Sequence, residues 1–78
     1  MVEAYVLMKS EPGQQGDVYT KVSKLKGVKS VKTVVGPYDL IILIESGSLN
    51  DLGKMVISKI QNLKGIRDTT SCIVIEPI

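Results

Sequence analysis

A chain of 78 residues with a net charge of +2 holds one domain and no more. With one cysteine and no histidine it can form neither an internal disulfide nor a histidine-based zinc site. A hydrophobic content of 44 % and a mean hydropathy of +0.18 are high for so small a domain, so oligomerisation is the remaining way to stabilise a marginal core. The longest apolar run, Leu40 to Ile44, is far too short to cross a bilayer. Met1-Val2-Glu3-Ala4 has no basic flank or long apolar core of a signal peptide, and a single unpaired thiol fits a reducing cytoplasm.

The first element in chain order is an apolar strand, Ala4 to Met8. Ser10 to Gly16, with Pro12 and two glycines, reads as a loop. Val18, Val22 and Leu25 then recur at helical spacing on one face. Gly27 follows Lys26 as the expected helix stop. Val28 to Val35 alternates as a strand with β-branched residues on both faces. Gly36-Pro37-Tyr38-Asp39 is a turn joining two halves.

The second half repeats the first at an offset of 38 residues. Val18 falls on Val56, Val22 on Ile60, and Leu25-Lys26-Gly27-Val28 on Leu63-Lys64-Gly65-Ile66. Leu40 to Ile44 is its first strand, apolar at every position. Ser48 and Asp51 form a variant of the capping box, and Leu49, Leu52, Val56, Ile60 and Leu63 make one helical stripe. Gly65 stops that helix. Thr69 to Ile75 is the last strand, and Pro77 ends its pairing. The order βαββαβ with right-handed crossovers gives an α+β fold. It is a ferredoxin-like sandwich, a four-stranded antiparallel sheet with both helices on one face.

The other sheet face should then be polar, yet Leu40 to Ile44 and Cys72 to Ile75 are apolar on both sides. A second copy, packed sheet to sheet under two-fold symmetry, supplies the cover, so an obligate homodimer is expected. Scattered exposed aliphatics are the plainer alternative.

No catalytic constellation is visible. There is no histidine, Cys72 lies among aliphatics, and Ser46-Gly47-Ser48 lacks the nucleophile-elbow spacing. Gly13 and Gly16 complete neither a P-loop nor a dinucleotide fingerprint. Lys21, Lys24, Lys26, Lys29 and Lys32 read best as a solvated face, since no aromatic platform for nucleic acid accompanies them. Two stretches stay open between structural and binding roles. Asp39 is either a turn former or a carboxylate offered to an ammonium group. Asp68-Thr69-Thr70-Ser71 is either a capped strand start or a row of hydroxyl donors.

Val31 to Ile42, with Gly36-Pro37-Tyr38-Asp39 before an apolar strand, and Leu63-Lys64-Gly65-Ile66 before Thr69-Thr70-Ser71, resemble the effector domain of the Lrp/AsnC feast/famine regulators, the RAM domain. The resemblance covers residues 1–78 as a single domain. It resembles the stand-alone form, which lacks the DNA-binding helix-turn-helix. The resemblance implies a dimer that assembles further, often to octamers, and binds amino acids or similar small effectors between dimers. It implies effector-binding positions at Gly36, Tyr38, Asp39, Thr69, Thr70 and Ser71. In this picture Asp39 pairs the ammonium, and the hydroxyls and backbone of Thr69 to Ser71 take the carboxylate. Leu49 and Cys72 to Val74 match positions that shape the same region. Pro37, usually polar, stiffens the turn, and Ser71 replaces a common threonine. No cofactor, metal, catalytic residue, membrane contact or direct nucleic-acid contact is implied. Full-length regulators of the same family are the further partners implied, in the transcriptional control of amino-acid metabolism. A ligand-free dimeric adaptor is the alternative. An enzyme of the dimeric ferredoxin-like type ranks below both, with only Arg67 to serve it. An ACT-like domain shares the element order but lacks the Gly-x-Tyr-Asp turn.

Overall fold

In the computed structural model, residues 1–75 are described. Strand β1 spans Val2–Ser10, helix α1 Gln15–Ser23, strand β2 Val28–Thr33 and strand β3 Leu40–Ser46. Helix α2, Leu49–Met55, continues into a π-helical stretch, Val56–Ile60, and strand β4 spans Ile66–Ile73. The sheet order is β2-β3-β1-β4 with every neighbouring pair antiparallel. This is the expected ferredoxin-like sandwich.

Strand alternation divides the sheet into two faces. Ala4, Val6 and Met8 of β1 and Leu40, Ile42 and Ile44 of β3 are fully buried. They meet Val18 and Val22 of α1 and Leu52, Val56 and Ile60 of the second helical segment in one core. Both helices therefore cover the same face. The intervening residues of the two central strands, Tyr5, Leu7, Ile41 and Leu43, lie on the opposite face, in register as Tyr5 with Leu43 and Leu7 with Ile41. No described element covers them fully; Tyr5 is 45 % exposed.

The internal repeat survives in detail. Val18 and Val56, and Val22 and Ile60, are all core residues. Gly27 and Gly65 both take the left-handed backbone, at φ +95° and +93°. At Gly27 a Cβ would meet the Glu45 carbonyl oxygen and Met55 Sδ, each at 3.1 Å. Gly27→Ala combines that crowding with an unfavourable φ. It is expected to cost about 1–3 kcal/mol, read as a lowered urea midpoint.

Several boundaries differ from those expected. β1 and β3 run longer, because the register between them holds from Val2–Ser46 to Met8–Leu40. β2 ends at Thr33, two residues before Val35. The Val34 amide donates to the Asp39 carbonyl at 3.0 Å, a last bond in the register of the Thr33–Leu40 pair that closes the turn, and Val35 beyond it is fully exposed. β4 begins earlier and ends at Ile73; Pro77 lies outside the described residues. Leu25 follows α1 in a turn and still packs against the core. Leu49 leaves the expected stripe: it is 58 % exposed and lines a shallow cleft with Gly53 and Ile57.

Ser48 caps α2 as expected, its Oγ accepting from the Asp51 amide at 3.1 Å. Ser48→Ala removes that acceptor. A loss of about 1 kcal/mol follows, or roughly 4–8 °C in Tm for a domain this size.

Candidate functional site

The turn from Val34 to Asp39 is anchored to the sheet by backbone and side chain together. The Asp39 amide donates to the Met8 carbonyl at 2.8 Å. Its Oδ2 accepts from the Ser10 amide at 2.8 Å and the Ser10 hydroxyl at 3.2 Å. Ser10 is 5 % exposed, and the register of β1 against β4 shifts between Lys9 and Ser10. Pairing of β1 with β3 ends at Met8 and Leu40, and the Asp39 carboxylate takes the Ser10 amide where the next ladder acceptor would stand. A carboxylate receiving a buried amide is a charge-assisted bond, stronger than its neutral counterpart.

Tyr38 is half-buried. Its hydroxyl lies 3.4 Å from Thr70 Oγ1, within a hydrogen bond that either can donate. Lys9 Nζ stands 5.6 Å from the centroid of its ring, in cation–π range. Thr70 is in register with Leu7 and so faces the side of the sheet away from the helices. Tyr38, Lys9 and Thr70 thus gather at one end of the open face, beside the apolar row of Leu7 and Ile41.

The other expected site residues are placed differently. Thr69 and Ser71 are in register with the core residues Met8 and Val6, so they share the helix side of β4, opposite to Thr70. Thr69 there lines a small cleft of about 280 Å³ with Gln61, Ile66, Arg67 and Asp68. Gly36 sits at the exposed tip of the turn, with open space where a Cβ would be. The structure therefore brings Tyr38 and Thr70 into contact and fixes Asp39 against Met8 and Ser10 of β1. The three hydroxyls are split by strand alternation.

Two residues at this end had no signal as site residues in the sequence. Ser10 reads as a loop residue, and its tie to Asp39 spans 29 positions. Lys9 is a single lysine in a basic chain. Nothing in local spacing marks either.

The far end of the open face is organised by charge. Lys29 Nζ lies 3.0 Å from Glu3 Oε2 and 3.6 Å from Glu45 Oε2. The hydrogen bond and charge of Glu3, then the charge of Glu45, raise the Lys29 ammonium above the ordinary lysine range. Because the folded value is the higher, this contribution is complete below the unfolded lysine pKa and is lost only as pH rises through the folded one. A cleft of about 590 Å³ lies at the same end of the sheet, lined by Lys26, Gly27, Glu45, Met55 and Lys59 among others. Among the described residues no group of three metal-ligating side chains occurs. No helix is long and apolar enough to cross a membrane.

The described fold is thus a ferredoxin-like sandwich with one open apolar face, edged by a Gly-x-Tyr-Asp turn. The family model of the Lrp/AsnC ligand binding domain matches residues 3–78, and the chain belongs to that family. A relative is an uncharacterized HTH-type transcriptional regulator of Pyrococcus furiosus, 29 % identical over 73 residues. The match covers 90 % of this chain and 49 % of the regulator, so the chain spans about half the length of such curated relatives. The solved structure of FFRP-DM1 superposes with a TM-score of 0.93 at 35 % identity, covering 96 % of this chain and 100 % of that one. A Neisseria meningitidis transcriptional regulator solved in complex with L-Met shares the fold at a TM-score of 0.86 and 18 % identity, over 99 % of this chain and 51 % of that one. Homocitrate synthase of Sulfurisphaera tokodaii is 30 % identical over 80 residues; these cover 96 % of this chain but only 16 % of the synthase.

Proposed function

We propose that this domain binds an amino acid or a similar small effector and couples that binding to self-assembly, as a non-catalytic module of transcriptional regulation. The observation that carries the reading is the Tyr38–Thr70 contact at the rim of an uncovered apolar face. A ligand seated there touches the turn, β1 and β4 at once. It also lies beside the surface that a second copy would cover.

In this reading copies pair through Tyr5, Leu7, Ile41 and Leu43, and pairs associate further through the ligand-bearing ends. Longer regulators with the same domain would pair through the same surface. Asp39 binds Ser10 through Oδ2, which leaves Oδ1 as the acceptor for a ligand ammonium. Thr70 and Tyr38 supply hydroxyls. A ligand that binds only the assembled form shifts assembly by mass action.

A second reading has its own support. Asp39 already serves the fold by satisfying Ser10, which suits a ligand-free adaptor whose turn is purely structural. A thermal-shift screen of the twenty amino acids separates the two. At a concentration of 100 Kd a ligand adds roughly 2.7 kcal/mol of stability, a shift of many degrees in a domain this small. Stabilisation by one or a few amino acids is the expected result. A flat response to all twenty removes the effector reading and leaves the adaptor.

A further inference from the structure

Side chains of β1 alternate between core and open face, and Lys9 is the last on the open side before the register shift at Ser10. Its cross-strand partner on β4 is Asp68. Directly opposed side chains share a face, so an ion pair between them is the default expectation. It is not made. Among the described residues Lys29 forms the ion pairs, and Lys9 forms none. Its Nζ stands over the Tyr38 ring instead, while the Tyr38 hydroxyl reaches Thr70. A half-buried lysine that declines its register partner for an aromatic face is held in place with its charge unpaired. Next to it, Leu7 and Ile41 form an apolar floor, in register with each other.

We infer that Lys9 receives the carboxylate of the effector and so confines the effectors of this domain to carboxylates. This rests on the effector-binding reading above. An ammonium over a ring gains a modest attraction, and a carboxylate offers it a stronger, charge-assisted hydrogen bond. The ring holds Nζ in place beforehand, so little side-chain order has to be created on binding. The Tyr38 and Thr70 hydroxyls stand beside the same anion. The ligand's side chain then lies over Leu7 and Ile41.

The test compares the twenty L-amino acids with their α-carboxamides, by thermal shift and calorimetry, on the wild type and on Lys9→Met, Lys9→Gln and Lys9→Arg. An amide keeps the ammonium and the side chain and loses only the negative charge. The wild type is expected to bind the acid roughly tenfold to a hundredfold more tightly than the amide. Lys9→Met and Lys9→Gln are expected to bind both forms at the amide's level, with unchanged far-ultraviolet circular dichroism. Lys9→Arg should keep the preference for the acid. If the neutral variants still prefer the acid, or the wild type does not, the Lys9 assignment is overturned while the effector reading stands. If no amino acid binds the wild type, both fall together.

Discussion

Leu43→Asp is expected to block the proposed sheet-to-sheet dimer and leave the fold intact. Leu43 lies on the uncovered face of β3, in register with Tyr5 on β1 and Ser30 on β2. In a monomer its new carboxylate meets water. In a sheet-to-sheet dimer it is buried without a partner, which costs several kcal/mol and abolishes association at micromolar concentration. The adjacent Ile42 gives the matching control, because a strand turns successive side chains to opposite faces. Ile42 is fully buried. Ile42→Ala is expected to cost about 2–5 kcal/mol of folding stability through the cavity it leaves. A domain this size has only about 4–12 kcal/mol in total, so that variant is close to unfolding at 37 °C. Urea melts and sedimentation velocity on the two variants separate the faces. Loss of fold in Leu43→Asp, or a dimer that persists in it, would contradict the assignment of the open face.

The second large effect is at Asp39. Asp39→Ala removes the acceptor of both Ser10 bonds and leaves a buried amide without a partner. Each bond to a carboxylate contributes roughly 1.5–3 kcal/mol, and an orphaned donor adds its own penalty. A loss of about 2–4 kcal/mol is expected in the urea melt. Asp39→Asn keeps an oxygen for Ser10 and removes the charge. It should hold most of the stability and bind amino acids more weakly, since the ammonium loses its counter-charge. The pair of variants therefore divides the structural role of the turn from its role toward a ligand. An alanine variant as stable as the wild type would show that the Ser10 tie does not hold the turn.

Much of the fold was legible because its signals are local or periodic. The offset between Val18–Gly27 and Val56–Gly65 reports two copies of one unit, and Gly27 and Gly65 take the same left-handed backbone. Ser48 and Asp51 lie three residues apart, so the cap is readable from spacing. The end of β2 was not readable: Val34 and Val35 continue the β-branched pattern, and only the turn that begins after the Val34–Asp39 bond ends the strand. The resemblance to the Lrp/AsnC domain identified the family, which the match over residues 3–78 shows. The site was legible in part. Tyr38 and Thr70 meet as a pair, although 32 positions separate them. Thr69 and Ser71 read as one hydroxyl run with Thr70, but alternation sends them to the other face. Ser10 and Lys9 carry no local pattern. Their placement comes from strand pairing, where β3 stops opposite Met8 and β4 runs beside Lys9, which is a tertiary fact.

In the proposed function, effector binding and self-assembly meet at the open sheet face. Sedimentation velocity of the wild type over a hundredfold concentration range tests it most directly, with and without the amino acid that stabilises the protein most. Dimers or larger species are expected throughout the micromolar range, with a further shift in size when the amino acid is present. A folded monomer at every concentration, indifferent to the amino acid, would contradict the proposed function.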